Sequence, residues 1–254
     1  MPTIANRPYK GLAEYYDQLF TFHLPCFEAA RQRVLGDLLP RLDSACDLAC
    51  GTGTTALLLA RRGIKMYGVD LSAVMCRLAR LKAHRAGLPL RVIRADMRNF
   101  RLPAPVGLVL CEFDALNHVM RKADLRSVAG AVAGALEPGG YFYFDVNNRR
   151  AFETIWPGCW WIEKPGVALV MHGGYDRKRD KGWSDVEWFL RDGKRWRRHH
   201  ERIEQVAWTG AEVRRTLRDA GFDRVQAWDA TPFFKNDPKI SPGCRTFYLA
   251  RKRA

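Results

Sequence analysis

Residues 44–53 read Ser-Ala-Cys-Asp-Leu-Ala-Cys-Gly-Thr-Gly, and this stretch decides the fold. A short apolar run ends in Asp47 and opens into Gly51-Thr52-Gly53, and a helical pattern over 54–62 follows directly. This order predicts a strand, a tight glycine turn and a helix N-terminus, the geometry that binds nucleotide-like ligands on backbone amides. Gly51 and Gly53 lack a Cβ atom, so the turn can take positive φ and let a ligand approach the main chain.

Acidic residues also close the next two predicted strands. Asp70 ends the run 65–70, where a carboxylate can accept both hydroxyls of a ribose. The run 90–94 leads into Asp96 and Met97, a pair that suits an adenine, since Asp96 can accept from the exocyclic amine while Met97 packs on the ring. Ligands of open α/β sheets bind beyond the carboxyl ends of the strands. We therefore expect an adenosine compound to bind at this edge.

The glycine turn alone leaves two cofactors open. Gly51-x-Gly53-x-x-Ala56 also satisfies a dinucleotide pattern, and Asp70 lies 19 residues after Gly51, near the spacing expected for NAD. Asp47 argues against NAD, because a carboxylate at the end of the first strand repels a pyrophosphate. It favours an adenosine cofactor that carries an ammonium group. An NAD enzyme stays the minor alternative.

Four motifs in order resemble those of the class I S-adenosylmethionine-dependent methyltransferases. They are Asp47–Gly53, Gly68–Ser72 with Met75, Ala95–Met97, and Leu136–Gly140 before a strand at 141–146. Within that superfamily the chain is similar to the small-molecule branch, which includes amino-sugar N-methyltransferases and uncharacterised bacterial relatives. The added likeness lies in Tyr15-Tyr-Asp17 and in residues 111–118, Cys-Glu-Phe-Asp-Ala-Leu-Asn-His.

The resemblance implies a reaction and a set of site residues. S-adenosyl-L-methionine is expected to give its methyl group to N or O of a small-molecule acceptor, leaving S-adenosyl-L-homocysteine. The residues expected to bind the cofactor are Tyr9, Tyr16, Asp47, Ala49, Gly51, Gly53, Asp70, Leu71, Met75, Asp96, Met97, Cys111 and Phe113.

Candidate general bases follow the fourth strand. They are Glu112, Asp114 and His118, and His199 or His200 of the insertion is a further candidate. We expect His118 and Glu112 to be catalytic, with His118 preferred because its unshifted pKa lies near neutrality. The alternative is that His118 caps a helix or orients the cofactor. No pattern marks a metal site.

The alternation of strands and helices predicts an α/β fold. We expect a Rossmann-like, doubly wound, mostly parallel seven-stranded sheet with an antiparallel β insertion after strand five. Residues 1–43 would form a helical lid, 44–149 with 209–254 the cofactor-binding core, and 150–208 the insertion.

The insertion is rich in tryptophan and in short alternating runs. The runs 167–172, 183–191 and 194–206 predict strands, with Asp192-Gly193 as a hairpin turn. Seven of the eight tryptophans lie from Trp156 to Trp208. They form either the insertion's own core or the lining of a substrate pocket or subunit interface. The insertion is therefore expected to be a substrate lid or the interface of a homodimer.

The formal charge of +15 raises the question of a nucleic-acid partner. Lys and Arg outnumber Asp and Glu by 20 to 13 in residues 1–149, by 12 to 9 in 150–208 and by 10 to 5 in 209–254. A phosphate-binding face is usually clustered, so this spread argues against nucleic acid. An RNA methyltransferase and a non-catalytic cofactor-binding module remain the alternative functions.

Cellular location is judged from apolar runs and cysteines. No apolar run approaches the length of a membrane span, and the first residues lack the apolar core of a signal peptide. The seven cysteines are scattered and never spaced C-x-x-C. We expect a reduced, cytoplasmic protein without a membrane partner.

Overall fold

The computed structural model describes residues 13–234 and 242–254 of the chain. The strands in this part are β1 (Ser44–Leu48), β2 (Lys65–Asp70), β3 (Leu90–Arg94), β4 (Val106–Cys111), β5 (Leu136–Asn147), β6 (Cys159–Lys164), β7 (Val167–Asp176), β8 (Lys181–Asp192), β9 (Arg195–Val206), β10 (Phe222–Asp229) and β11 (Arg245–Lys252).

Seven of these strands form the main sheet, in the order β10-β11-β5-β4-β1-β2-β3. The pairs from β5 to β3 are all parallel, and β11 runs antiparallel to both β5 and β10. The predicted fold class, a doubly wound sheet with a separate antiparallel insertion, is thereby confirmed.

The helices are α1 (Tyr16–Phe20), α2 (Leu24–Leu35), α3 (Thr54–Ala60), α4 (Ala73–Arg85), α5 (Lys122–Ala135), α6 (Arg149–Thr154) and α7 (Gly210–Asp219). Ser72 caps α4, and Thr209 with Glu212 forms a capping box at α7. Pro25 lies in the first turn of α2, where the absent N–H would have had no helical partner.

Apolar side chains cover both faces of the main sheet. Phe142 and Phe144 of β5 join one buried cluster with α5 and α7, whereas Tyr143 joins another with α2 and α3. Successive side chains of a strand point to opposite faces, so β5 serves both layers. With both faces covered, the open carboxyl edge of the parallel strands is where a ligand can reach the main chain.

The insertion is a second sheet, in the order β6-β7-β8-β9, and every pairing in it is antiparallel. Asp192 still pairs with Arg195, so the hairpin turn is Gly193-Lys194 and begins one residue later than expected. Leu19 of α1 is buried in the core of this sheet together with Trp188. Helix α1 therefore packs on the insertion. No helix among residues 13–234 and 242–254 is long and apolar enough to cross a membrane.

Candidate active site

The glycine turn between β1 and α3 has left-handed backbone at three positions. Ala49, Gly51 and Gly53 have φ of 59°, 53° and 79°. A Cβ atom on Gly53 would lie 3.0 Å from the Cβ of Ala79 in α4, whereas one on Gly51 would meet nothing within 4 Å. Gly53 is therefore required by both φ and packing, and the turn is open at Gly51.

Asp47, at the end of β1, is buried beneath this turn. One of its oxygens, Oδ2, accepts a hydrogen bond from the backbone N–H of Ala56 at 3.1 Å. Burial raises the pKa of Asp47, and nearby Glu112 and Asp70 raise it further, while Arg31 opposes them. Negative groups thus converge on this strand end, which stabilises a cation placed against it.

Asp70, at the end of β2, braces the same turn. It accepts from the N–H of Gly51 at 2.9 Å and from the N–H of Ser72 at 2.8 Å. Burial raises its pKa against the lowering effect of these bonds. Of the two nearby residues also expected to bind the cofactor, Leu71 is exposed and Met75 is buried.

Asp96 follows β3 and is held by a cation. Both carboxylate oxygens accept from the guanidinium of Arg98, the shortest contact being 2.6 Å, and this pairing lowers the pKa of Asp96. Met97 packs at the margin of the core beside α5. An adenine-binding role for Asp96 requires its carboxylate to bind the amine while paired to Arg98, and that role stays a prediction.

The N-terminal helix α1 is fastened to the glycine turn by a polar cluster. Asp17 accepts from the hydroxyl of Thr52 at 2.6 Å and from Lys82 Nζ at 2.6 Å. Lys82 Nζ also donates to the hydroxyl of Thr54 at 2.6 Å. The expected contact of Tyr9 with the cofactor falls outside the described residues.

Tyr16, next to Asp17, reports on the charge of the cleft. Its pKa is raised by burial first, and then by Asp114, Asp70 and Asp17. Carboxylates from α1, from the end of β2 and from the segment after β4 therefore act on one phenol.

The segment after β4 has strained backbone. Phe113 and Asp114 have φ of 60° and 48°, a region that non-glycine residues seldom adopt. Phe113 stacks on Phe27 of α2, with ring centroids 4.0 Å apart. Cys111, just before them, is wholly buried, and burial raises the pKa of its thiol. Stacking and the contacts of Asp114 hold this conformation.

Glu112 is paired with a cation inside the fold. One of its oxygens, Oε2, accepts from Arg31 of α2 at 2.5 Å and from the hydroxyl of Thr55 at 3.2 Å. The two charged side chains are only 4% and 2% exposed. This pair fixes α2 to the end of β4.

Asp114 is held by side chains from two distant strands. One oxygen accepts from Arg245 of β11 at 2.8 Å, and the other from Gln205 of β9 at 2.6 Å. Arg245 also pairs with buried Asp145 of β5, whose other contact is the N–H of Asp114 at 2.9 Å. Burial raises the pKa of Asp145 to about 7, although Arg245 opposes the rise.

His118 lies behind this group. Its Nε2 is 3.1 Å from Nε2 of Gln205. Burial lowers its pKa, with Asp114 acting in the opposite direction, so the imidazole is neutral around pH 7.

A cavity of about 230 Å³ opens between the main sheet, the N-terminal helices and the insertion. Its floor carries Asp114, Gln205 and Arg245. Its aromatic walls include Tyr16, Phe22, Phe27, Phe113, Trp156 and Trp160. Among the described residues that line this cavity, neither Glu112 nor His118 is found. Of the insertion's tryptophans, two therefore line this cavity, while Trp188 and Trp208 are buried in cores.

Comparison with known proteins decides between the cofactors. Residues 45–140 match a family model described as "Methyltransferase domain". This part of the chain is a methyltransferase domain. The resemblance to methyltransferases, the enzyme class and the cofactor S-adenosylmethionine, all expected from the motifs, are thereby confirmed.

Two known proteins are similar in sequence to this methyltransferase. It is 26% identical over 246 residues to the putative methyltransferase YqeM of Bacillus subtilis strain 168, covering 96% of this chain and 97% of that protein. It is also 34% identical over 108 residues to a ubiquinone biosynthesis O-methyltransferase of Paracidovorax citrulli, covering 41% of this chain and 44% of the other.

Two solved structures share the fold. An S-adenosylmethionine-dependent methyltransferase from Clostridium acetobutylicum matches with a TM-score of 0.80 at 23% identity, covering 97% and 99% of the two chains. CalS10, an amino pentose methyltransferase from Micromonospora echinaspora, matches with a TM-score of 0.70 at 21% identity, covering 94% and 95%.

Sequence reasoning missed Arg31, Gln205 and Arg245 as contributors to this site. Each acts through a partner at least 81 residues away along the chain. Lys82 was missed as well, because a lysine on a helix is usually solvated. The one sequence signal for this group was the acidic pattern around Asp114, which gave no partner.

Proposed function

We propose that this methyltransferase moves the methyl group of S-adenosylmethionine to N or O of a small acceptor seated in the aromatic cavity. The observation that carries the proposal is that Tyr16 and Phe113, both expected at the cofactor, also line this cavity. A ligand in the cavity would thus lie against the cofactor cleft.

The residues of the cleft fit a positively charged nucleoside. Asp47 and Asp70 lie at the ends of the adjacent strands β1 and β2, and Asp70 raises the pKa of Asp47. In the proposed arrangement Asp47 faces the methionine ammonium and Asp70 the ribose, while the open turn at Gly51 gives access to the main chain. A pyrophosphate would be repelled by the same carboxylates.

The chemistry asks mainly for positioning. The bound cofactor supplies a methyl group already activated by the sulfonium. The chain must hold a nucleophile in line at about 3 Å and exclude water, which can lower the barrier by ~7–11 kcal/mol. Helices α1 and α2 and the insertion cover the cavity, and we assign them the role of a lid.

Glu112 and His118 receive positioning roles in this proposal. Glu112 is ion-paired with Arg31, and His118 contacts Gln205, which lines the cavity. A buried ion pair fixes geometry, and a neutral imidazole beside an amide can orient it. Neither group needs to accept the proton of the acceptor.

The size and lining of the cavity support a small acceptor. About 230 Å³ suits a compact molecule, and mostly aromatic walls with a few polar groups are typical of small-molecule sites. The names of two similar proteins also support a small acceptor. One is a ubiquinone biosynthesis O-methyltransferase and the other an amino pentose methyltransferase.

Mass spectrometry of transferred label tests the proposal. The protein would be incubated with donor carrying an isotope-labelled methyl group and with a metabolite extract or total RNA. Label in a low-molecular-weight product, lost in Asp70→Asn and kept in the exposed control Asp219→Asn, supports it. Label in RNA alone, or saturable donor binding with no labelled product in either pool, contradicts it.

A further inference from the structure

The floor of the aromatic cavity holds polar atoms in need of partners. Gln205 is 2% exposed and its Oε1 makes no hydrogen bond within the described residues, and the buried Nε atom of Arg245 makes none there either. Both residues line the cavity beside Asp114. Buried polar atoms are nearly always satisfied in native structures, so these two indicate a ligand that offers one donor and one acceptor.

We propose that Asp114 selects a nitrogen acceptor, its carboxylate stabilising the positive charge that the nitrogen acquires on methylation. The inference rests on the proposed function and names the acceptor class for the same site.

Asp114 is held for such a role. Arg245 and Gln205 each take one lone pair, one on either oxygen, so both oxygens keep further accepting capacity. Its left-handed backbone, at φ 48°, is a conformation that costs energy and persists where surrounding contacts impose it. The carboxylate is thus fixed in the cavity floor.

The charge of the reaction moves toward Asp114. The ammonium form of the acceptor first loses a proton to water, and the uncharged amine then gives its lone pair to the methyl carbon, forming the N–C bond. The C–S bond breaks with its electron pair going to sulfur, so the positive charge passes from sulfur to nitrogen. The resulting ammonium then loses a proton to water. A fixed carboxylate beside the nitrogen gains attraction as this charge develops, and such interactions accelerate transfer.

Arg245 does not cancel this effect. It is shared by Asp114 and Asp145, so the three groups together carry one net negative charge when both carboxyls are ionised.

The same carboxylate disfavours methylation of an oxygen acceptor. A phenol must lose its proton before it is a good nucleophile, and a carboxylate beside it opposes that loss. Tyr16 lines the same cavity and shows the effect, because burial and then Asp114 raise the pKa of its phenol.

The two atoms in need of partners complete the match. Gln205 Oε1 can accept from an N–H of the amine, and Arg245 Nε can donate to a neighbouring hydroxyl or ether oxygen. The aromatic walls favour an apolar body, and their faces attract a cation. The acceptor class is therefore an amine on a compact apolar frame, with an oxygen close to the nitrogen.

Calorimetry on the complex with S-adenosylhomocysteine tests the inference without turnover. That complex with an ammonium reproduces the charges present after transfer. The probes are 2-phenylethylammonium and 2-phenylethanol, which differ in the charged group, at a pH of about 8, above the pKa of about 7 of Asp145. The variants are Asp114→Asn and the control Asp219→Asn, an exposed carboxylate in α7.

The wild type is expected to bind the ammonium about tenfold or more tightly than the alcohol, as hydrogen bonds to charged groups are the stronger ones. The preference should vanish in Asp114→Asn and persist in Asp219→Asn. Equal affinity of the wild type for both probes, including no measurable binding of either, overturns the inference, and so does a preference that survives in Asp114→Asn. If Asp114→Asn fails to fold, the wild-type comparison alone decides. If the wild type does not bind S-adenosylhomocysteine at all, the proposed function is refuted instead.

Discussion

Replacing Arg31 by Met should cost more stability than any exposed ion pair of the protein. The Arg31–Glu112 contact measures 2.5 Å, and both side chains are at most 4% exposed. Removing one partner leaves the Glu112 charge buried without its cation, which costs about 3–5 kcal/mol. For a chain of this size that corresponds to a fall in Tm of roughly 6–20 °C.

Urea denaturation followed by circular dichroism measures this difference. The matched control is Arg62→Met, because Arg62 pairs with Glu28 at 3.4 Å with side chains 44% and 52% exposed. Exposed pairs of this kind contribute about 0–1 kcal/mol. Restoring neutrality with Glu112→Gln in the Arg31→Met background should recover part of the loss. If Arg31→Met is within 1 kcal/mol of the control, the buried pair is not what fastens α2 to β4.

Three further changes have defined outcomes. Gly53→Ala should destabilise the protein by about 1–2 kcal/mol in urea titrations, because it forces left-handed backbone on a residue with a Cβ and crowds Ala79; unchanged stability would show that the turn relaxes. Asp145 has a pKa of about 7 in the fold, above its unfolded value of about 3.9, so the folded state binds more protons and stability falls as pH rises between these values. The free energy of unfolding of Asp145→Asn should therefore rise relative to that of the wild type by up to roughly 4 kcal/mol between pH about 4 and above 7. A stability difference between the two proteins that does not change with pH would refute the raised pKa. Lys82→Met removes the bond to Asp17, so limited proteolysis should release the segment before α2 faster, with a global stability loss of only about 1 kcal/mol because the pair is half-exposed.

The parts of the site that sequence could predict are local. A few neighbouring residues are enough to recognise the glycines of the turn and the carboxylates after apolar runs. The same holds for the capping residues Ser72 and Thr209. Their positions follow from backbone conformation and from strands ending at one edge. The fold and the cofactor were therefore predictable.

The acceptor side was not predictable, because it is assembled from distant segments. Gln205 and Arg245 lie 91 and 131 residues after Asp114, and no periodic pattern marks either one. Local reasoning also gave Glu112 a free carboxylate, whereas packing of α2 brings Arg31 against it. Pairing between elements decides which acids stay available, and sequence spacing does not contain it.

The central claim is that carboxylates at neighbouring strand ends bind S-adenosylmethionine, and calorimetric titration of that cofactor tests it most directly. Asp70→Asn keeps the shape but removes a charge that accepts from Gly51 and Ser72, each such bond contributing about 1.5–3 kcal/mol. The wild type and Asp219→Asn should bind S-adenosylmethionine with equal affinity and show no heat with NAD, and Asp70→Asn should bind at least about tenfold more weakly. Binding of NAD in place of S-adenosylmethionine, or an Asp70→Asn affinity equal to that of the wild type, would contradict the account.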